Sequence, residues 1–196
     1  MLGACTAGSV MVPCPWFLEA AEMAVNNRQL DLGVHLTLTS ERQYYRWRPI
    51  STASKSSGLL DENGHMWGSV PLLRKHANVE AVECEMRAQV DAAMDAGIEV
   101  THLDTHQGAG IVPEFLDCFL RVAADYQLPF LFPKKMELYD IRHNLGEVDA
   151  AYYEKKADEL IKNKQLVFDR VFETVWTGKE AAVDIYQKMF MEAERT

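Results

Sequence analysis

Along this chain, short alternating or apolar runs trade places with segments whose apolar residues recur every three or four positions. Residues 9–12 (SVMV) read as a short strand, ended by Pro13 and Pro15. Residues 16–27 carry Phe17, Ala20, Ala21, Ala24 and Val25 at helical spacing. Residues 30–39 (LDLGVHLTLT) alternate and predict a strand bearing His35. A strongly amphipathic helix follows over 79–96, with Gly97 as its C-terminal cap. The pattern then predicts a strand over 100–105, a helix over 112–126 opened near Pro113, and a short strand over 128–132 closed by Pro133. A helix over 147–164, a strand over 166–171 and a helix over 179–194 complete the chain.

Strands that alternate with helices argue for parallel β/α units in an α/β domain. No internal repeat or low-complexity tract divides residues 1–196, so a single domain is expected. Residues 40–69 break the alternation. They hold Tyr44, Tyr45, Trp47, Pro49, Gly58, Gly64 and Trp67 and a Ser/Thr-rich run, and read as one long loop, either a functional lid or a disordered segment. Parallel α/β folds build their sites at the C-terminal ends of strands. His35 falls within one predicted strand and His106 just beyond another.

Composition narrows the classes. Hydrophobic residues make up 48% and charged residues 25%, an ordinary globular balance. The net charge of −9, with no basic run, argues against nucleic acid and anionic membrane surfaces as partners. No apolar run reaches the roughly 18 residues of a membrane span. No basic region followed by an apolar one marks a signal peptide. Cys5, Cys14, Cys84 and Cys118 form no C-x-x-C pair, so a reducing, cytoplasmic compartment is expected.

The chemistry concentrates in residues 100–110 (VTHLDTHQGAG). Successive strand side chains alternate faces, so His102, Asp104 and His106 share one. Two imidazoles and a carboxylate at a strand's end, before a glycine-rich turn, suit a divalent metal such as Zn²⁺ and point to a metal-dependent hydrolase. Taken alone, His102 reads as a buried hydrogen-bonding residue that supports the site, and Asp104 either as a base or as a group orienting a histidine. His65, His76 and His143, in polar contexts, read as solvated.

Two motifs together, LDLGVHLTLTSE over 30–41 and THLDTHQG over 101–108, resemble the YdjC-like carbohydrate deacetylases, which include the chitooligosaccharide deacetylases. GSVMVP over 8–13 and PEFLDCFLRVAADYQLPFLFP over 113–133 extend the resemblance to about two-thirds of the chain. It implies a (β/α)-barrel-like (TIM-barrel-like) hydrolase that removes an N-acetyl group from an amino sugar with one divalent ion, Mg²⁺ or Zn²⁺. It also implies His35 and His106 as metal ligands, with His102 and Asp104 supporting them. The family's D-D-x-G-like strand, source of a ligand and a base, has no counterpart here, nor does its later H-P segment. The expectation is therefore an incomplete or distorted barrel whose exposed edge favours pairing into a homo-oligomer.

Tyr44, Tyr45, Trp47 and Trp67 are candidates for stacking on sugar rings, or else for anchoring the long loop to the core. A second reading, favoured by the absent aspartate pair, is a carbohydrate-binding or regulatory remnant of the same fold without catalysis. A third is a metal hydrolase acting on phosphoesters or other amides.

Overall fold

The computed structural model describes residues 5–136, 144–172 and 182–193. Three parallel strands, β1 (Gly8–Val10), β2 (Leu32–Leu36) and β3 (Val100–Thr105), lie side by side in chain order. Parallel neighbours need long crossovers. Helix α1 (Phe17–Asn26) bridges β1 to β2, and α2 (Val70–His76) with α3 (Val79–Asp95) bridges β2 to β3. Beyond β3 come α4 (Pro113–Asp125), α5 (Ala150–Lys162) and α6 (Ala182–Ala193).

The expected strands at 128–132 and 166–171 survive only as single parallel bridges, Leu103 to Phe130 and Pro133 to Phe168. Proline supplies no N–H to a ladder. Pro129 and Pro133 flank the first segment, leaving Leu103 N–H to Pro129 O and Leu131 N–H to Leu103 O as its bonds to β3. The described residues thus form a parallel arc of three strands continued by two bridges, and a closed barrel is not formed among them. The expected helix over 179–194 is seen within 182–193; its remaining positions, like His143, lie outside the described residues.

Burial follows the predicted periodicity. Val34, Leu36, Leu38 and Leu103 of the sheet region are fully buried. Val82, Met86 and Val90, four residues apart on α3, and Phe115, Phe119 and Val122 on α4 join the same core. Asn78 caps α3 by accepting from the N–H groups of Glu80 and Ala81. Gly97 ends it at φ +86°, and Ile98 N–H returns to Ala93 O. At the surface, Glu83 ties α3 to α4: one carboxylate oxygen accepts from Arg87 at 2.7 Å and the other from Arg121 at 2.6 Å. The two guanidinium groups hold the Glu83 carboxyl at about 2.

The long loop is pinned to this frame. Buried Glu85 on α3 accepts from Ile50 N–H (3.1 Å), Ser51 N–H (2.8 Å) and Gln89 Nε2 (2.8 Å). Gln89 in turn bonds both the N–H and the carbonyl of Thr37, just past β2. Buried polar groups persist when paired in this way. The 40–69 segment also contains a 3₁₀ turn at Lys55–Ser57 and an antiparallel bridge from Leu60 to Met66. The short helix α2 follows it and was not anticipated from the sequence.

Candidate functional site

Three connections leave the C-terminal ends of β1, β2 and β3 and meet above the sheet. Register places His35 on β2 beside Asp104 on β3. His35 Nδ1 donates to Asp104 Oδ1 at 2.8 Å, and Ser9 Oγ on β1 donates to Asp104 Oδ2 at 2.9 Å. Both oxygens of Asp104 are therefore engaged, one of them in orienting His35.

His106 follows β3 directly. Its Nε2 lies 2.9 Å from Glu41 Oε2, and its Nδ1 lies 3.3 Å from His35 Nε2. The turn that aims it is unusual. Gln107 adopts φ +52° and Gly108 φ +68°, two successive left-handed residues. That geometry costs a non-glycine residue about 1 kcal/mol, and Gln107 Oε1 offsets it by accepting from Thr39 Oγ1 at 2.9 Å. Gly110 closes the turn by donating its N–H to Thr105 Oγ1.

The tautomers follow from these partners. Carboxylate oxygens accept, so a neutral His35 carries its proton on Nδ1 and a neutral His106 on Nε2. The two nitrogens that face each other are then both lone pairs. Two imidazole nitrogens held at about 2.0–2.1 Å by one tetrahedral ion would stand about 3.3–3.4 Å apart. The pair fits two positions of such a metal, each ring oriented by a carboxylate on its far nitrogen, the usual arrangement behind a metal-binding histidine. Among the described residues, no group of three or more His, Cys, Asp or Glu side chains converges on a metal position. Among the described residues the donor set is thus two nitrogens, against the three protein ligands common at catalytic zinc.

Glu41 is the participant that sequence reasoning missed. It stands just after the predicted His35 strand as the last residue of the LDLGVHLTLTSE motif over 30–41, and membership of that motif was the signal that could have found it. Its hydrogen bond to His106 holds its carboxyl below the usual range, against the opposing effect of burial. Cys14, in the β1–α1 connection, faces the same charge. Burial first, and Glu41 second, push its thiol up to about 11.

His102 lies apart from the pair. Its ring occupies the space over Gly33, where an added Cβ would come within 2.5 Å of it, and its Nδ1 lies 2.8 Å from Thr101 Oγ1. The aromatic candidates also separate. Trp47 is only 6% exposed; its indole N–H goes to Thr39 O, and its ring stands edge-on to His106 at 6.0 Å. Trp67 donates to Gly58 O and stacks on His76 at 4.3 Å, so both indoles anchor the loop. His76, expected to be solvated, is thereby a packing partner. Tyr45 keeps an exposed face beside Trp47.

A parallel α/β arc with paired histidines and carboxylates at its C-terminal edge defines an α/β protein with a polar centre above its strands. The chain belongs to the YdjC-like protein family, which it matches over residues 2–195. It is 41% identical over 130 residues to a carbohydrate deacetylase of Thermus thermophilus, an alignment covering 66% of this chain and 45% of that one. It is 29% identical over 121 residues to a carbohydrate deacetylase of Thermoanaerobacter pseudethanolicus, covering 62% and 46%. The matched segment thus spans less than half the length of these relatives. A crystal structure from Enterococcus faecalis, assigned as a cellobiose-phosphate cleavage protein, superposes with a TM-score of 0.70 at 26% identity, over 96% of this chain and 65% of that one. No helix among the described residues is long and apolar enough to cross a membrane.

Proposed function

We propose that the chain carries the metal-binding half of a hydrolase that removes the N-acetyl group from an amino sugar or short chitooligosaccharide. The observation that carries this reading is the pair of imidazole nitrogens, His35 Nε2 and His106 Nδ1, 3.3 Å apart, each ring having its far nitrogen on a carboxylate. Its relatives named carbohydrate deacetylases support the substrate class. Histidine donors favour Zn²⁺ over Mg²⁺.

When bound, a divalent ion in this position polarises an acetamide carbonyl and lowers the pKa of a coordinated water. The chain's own residues prepare for it. Asp104 fixes the proton of His35 on Nδ1, and Ser9 fixes Asp104. Glu41 fixes the proton of His106 on Nε2. Trp47 stands edge-on to His106 at 6.0 Å. Asp104 acts here as a positioning residue, since both its oxygens are already engaged.

The test is acetate release from N,N′-diacetylchitobiose with Zn²⁺ or Mg²⁺ supplied, with His106→Ala alongside. Release that the variant lacks supports the reading. A folded, metal-loaded protein that releases none refutes it. The two-nitrogen donor set among the described residues favours one alternative, a sugar-binding chain without hydrolysis. Sugar binding without acetate would point there.

A further inference from the structure

We propose that Trp16 and Tyr45 form a stacking platform for the second sugar ring of an oligosaccharide whose first ring lies at the His35–His106 pair. The inference rests on the substrate class proposed above.

A run of aromatic rings leads from the histidine pair to the surface. Trp47 stands 6.0 Å from His106, Tyr45 stands 6.1 Å from Trp47, and Trp16 stands 6.0 Å from Tyr45. Along this run the rings change character. Trp47 is buried and its indole N–H is taken, whereas Tyr45 is 41% and Trp16 69% exposed. The outer two rings are tilted by 32° to each other with centroids 6.0 Å apart. Leaving so much indole in water costs free energy that a ligand's apolar face could recover.

Their places in the fold agree. Trp16 stands two residues after Cys14, whose thiol feels the charge of Glu41, so the β1–α1 connection borders the same centre from another strand. Two loops from neighbouring strands thus contribute one ring each to the rim. The occupant is a neutral pyranose ring rather than an anionic one. The chain carries a net charge of −9, and two arginines near Tyr45 in sequence are paired, Arg42 with Glu41 at 3.3 Å and Arg46 with Asp61 at 3.0 Å. A pyranose presents C–H bonds on one face, which suit an aromatic ring, and hydroxyls around its edge, which stay in water.

The test is a calorimetric titration of wild type, Trp16→Ala and Trp16→Tyr with N-acetylglucosamine and with N,N′-diacetylchitobiose, with acetate release followed in parallel. Wild type is expected to bind the disaccharide roughly tenfold more tightly than the monosaccharide, as burial of one ring face predicts. Trp16→Ala is expected to bring that ratio close to one, and Trp16→Tyr to retain most of it. Unchanged melting temperatures establish that both variants fold. An unaltered ratio in Trp16→Ala overturns the platform, as does wild type that binds neither sugar or binds both alike. Wild type that shows the ratio yet releases no acetate leaves the platform standing and removes the hydrolytic reading. Acetate release with a Trp16-independent ratio does the reverse.

Discussion

His35 and His106 present nitrogens to each other at 3.3 Å, each with its remaining nitrogen on a carboxylate. Two neutral rings so arranged cannot share a hydrogen bond, because neither facing nitrogen carries a proton. A metal ion between them would accept both lone pairs, and Zn²⁺ is expected to raise the melting temperature of the protein in a concentration-dependent way. His106→Ala and His35→Ala should each abolish that shift. Differential scanning fluorimetry across a Zn²⁺ series checks it, and a variant that keeps the full shift would remove the pair as the binding position.

Asp104→Asn and Glu41→Gln test the outer layer of the same arrangement. Each substitution lets the side chain present an amide N–H in place of an accepting oxygen, which permits the wrong imidazole tautomer. Zn²⁺ affinity is expected to fall about 10–100-fold in either variant. Competition against a chelating dye measures it. Affinity within twofold of wild type would mean that the carboxylates serve the fold alone.

The α3–α4 clamp predicts an acid-sensitive component of stability. Because its guanidinium partners hold Glu83 at about 2, below its ordinary 4.5, its contribution is complete above pH 4.5 and is lost as pH falls toward 2. Glu83→Gln should cost about 1–2 kcal/mol at neutral pH, allowing for solvent screening of a partly exposed pair. It should also lose less stability than wild type between pH 5 and pH 3, on the order of that same difference. Urea melts at the two pH values decide the matter, and parallel losses in both proteins would exclude the clamp.

Glu85 makes a different prediction, since it is buried and holds backbone. Glu85→Ala strips Ile50 and Ser51 of their acceptor and should destabilise the protein by about 2–4 kcal/mol. The 40–69 segment carries Trp47, so the same variant should be cleaved there by limited proteolysis well before wild type. Equal cleavage rates would show that the loop is held by its aromatic anchors instead.

The alternation over 30–39 and 100–105 was enough to place His35 within one strand and His106 just past another, because side-chain alternation is a property of a strand's own backbone. The helical spacings of Val82, Met86 and Val90, and the stop at Gly97, were legible for the same reason. Helix α2 was not, since its seven residues sit behind a loop too rich in glycine, serine and proline to show a period. Nor were the single bridges at Phe130, which Pro129 precedes, and at Phe168, whose bridge partner is Pro133, in segments whose apolar pattern promised strands.

What the sequence determined by itself was therefore local: which segments extend, which coil, and that a histidine stands before a glycine-rich turn. Only the tertiary structure decided the pairings. His106 meets His35 across 71 positions and Glu41 across 65, His102 turns away onto Gly33, and Trp16 joins Tyr45 from another loop. Such meetings depend on the register of neighbouring strands and on loops pinned by buried groups such as Glu85. A chain's local periodicity carries no record of them.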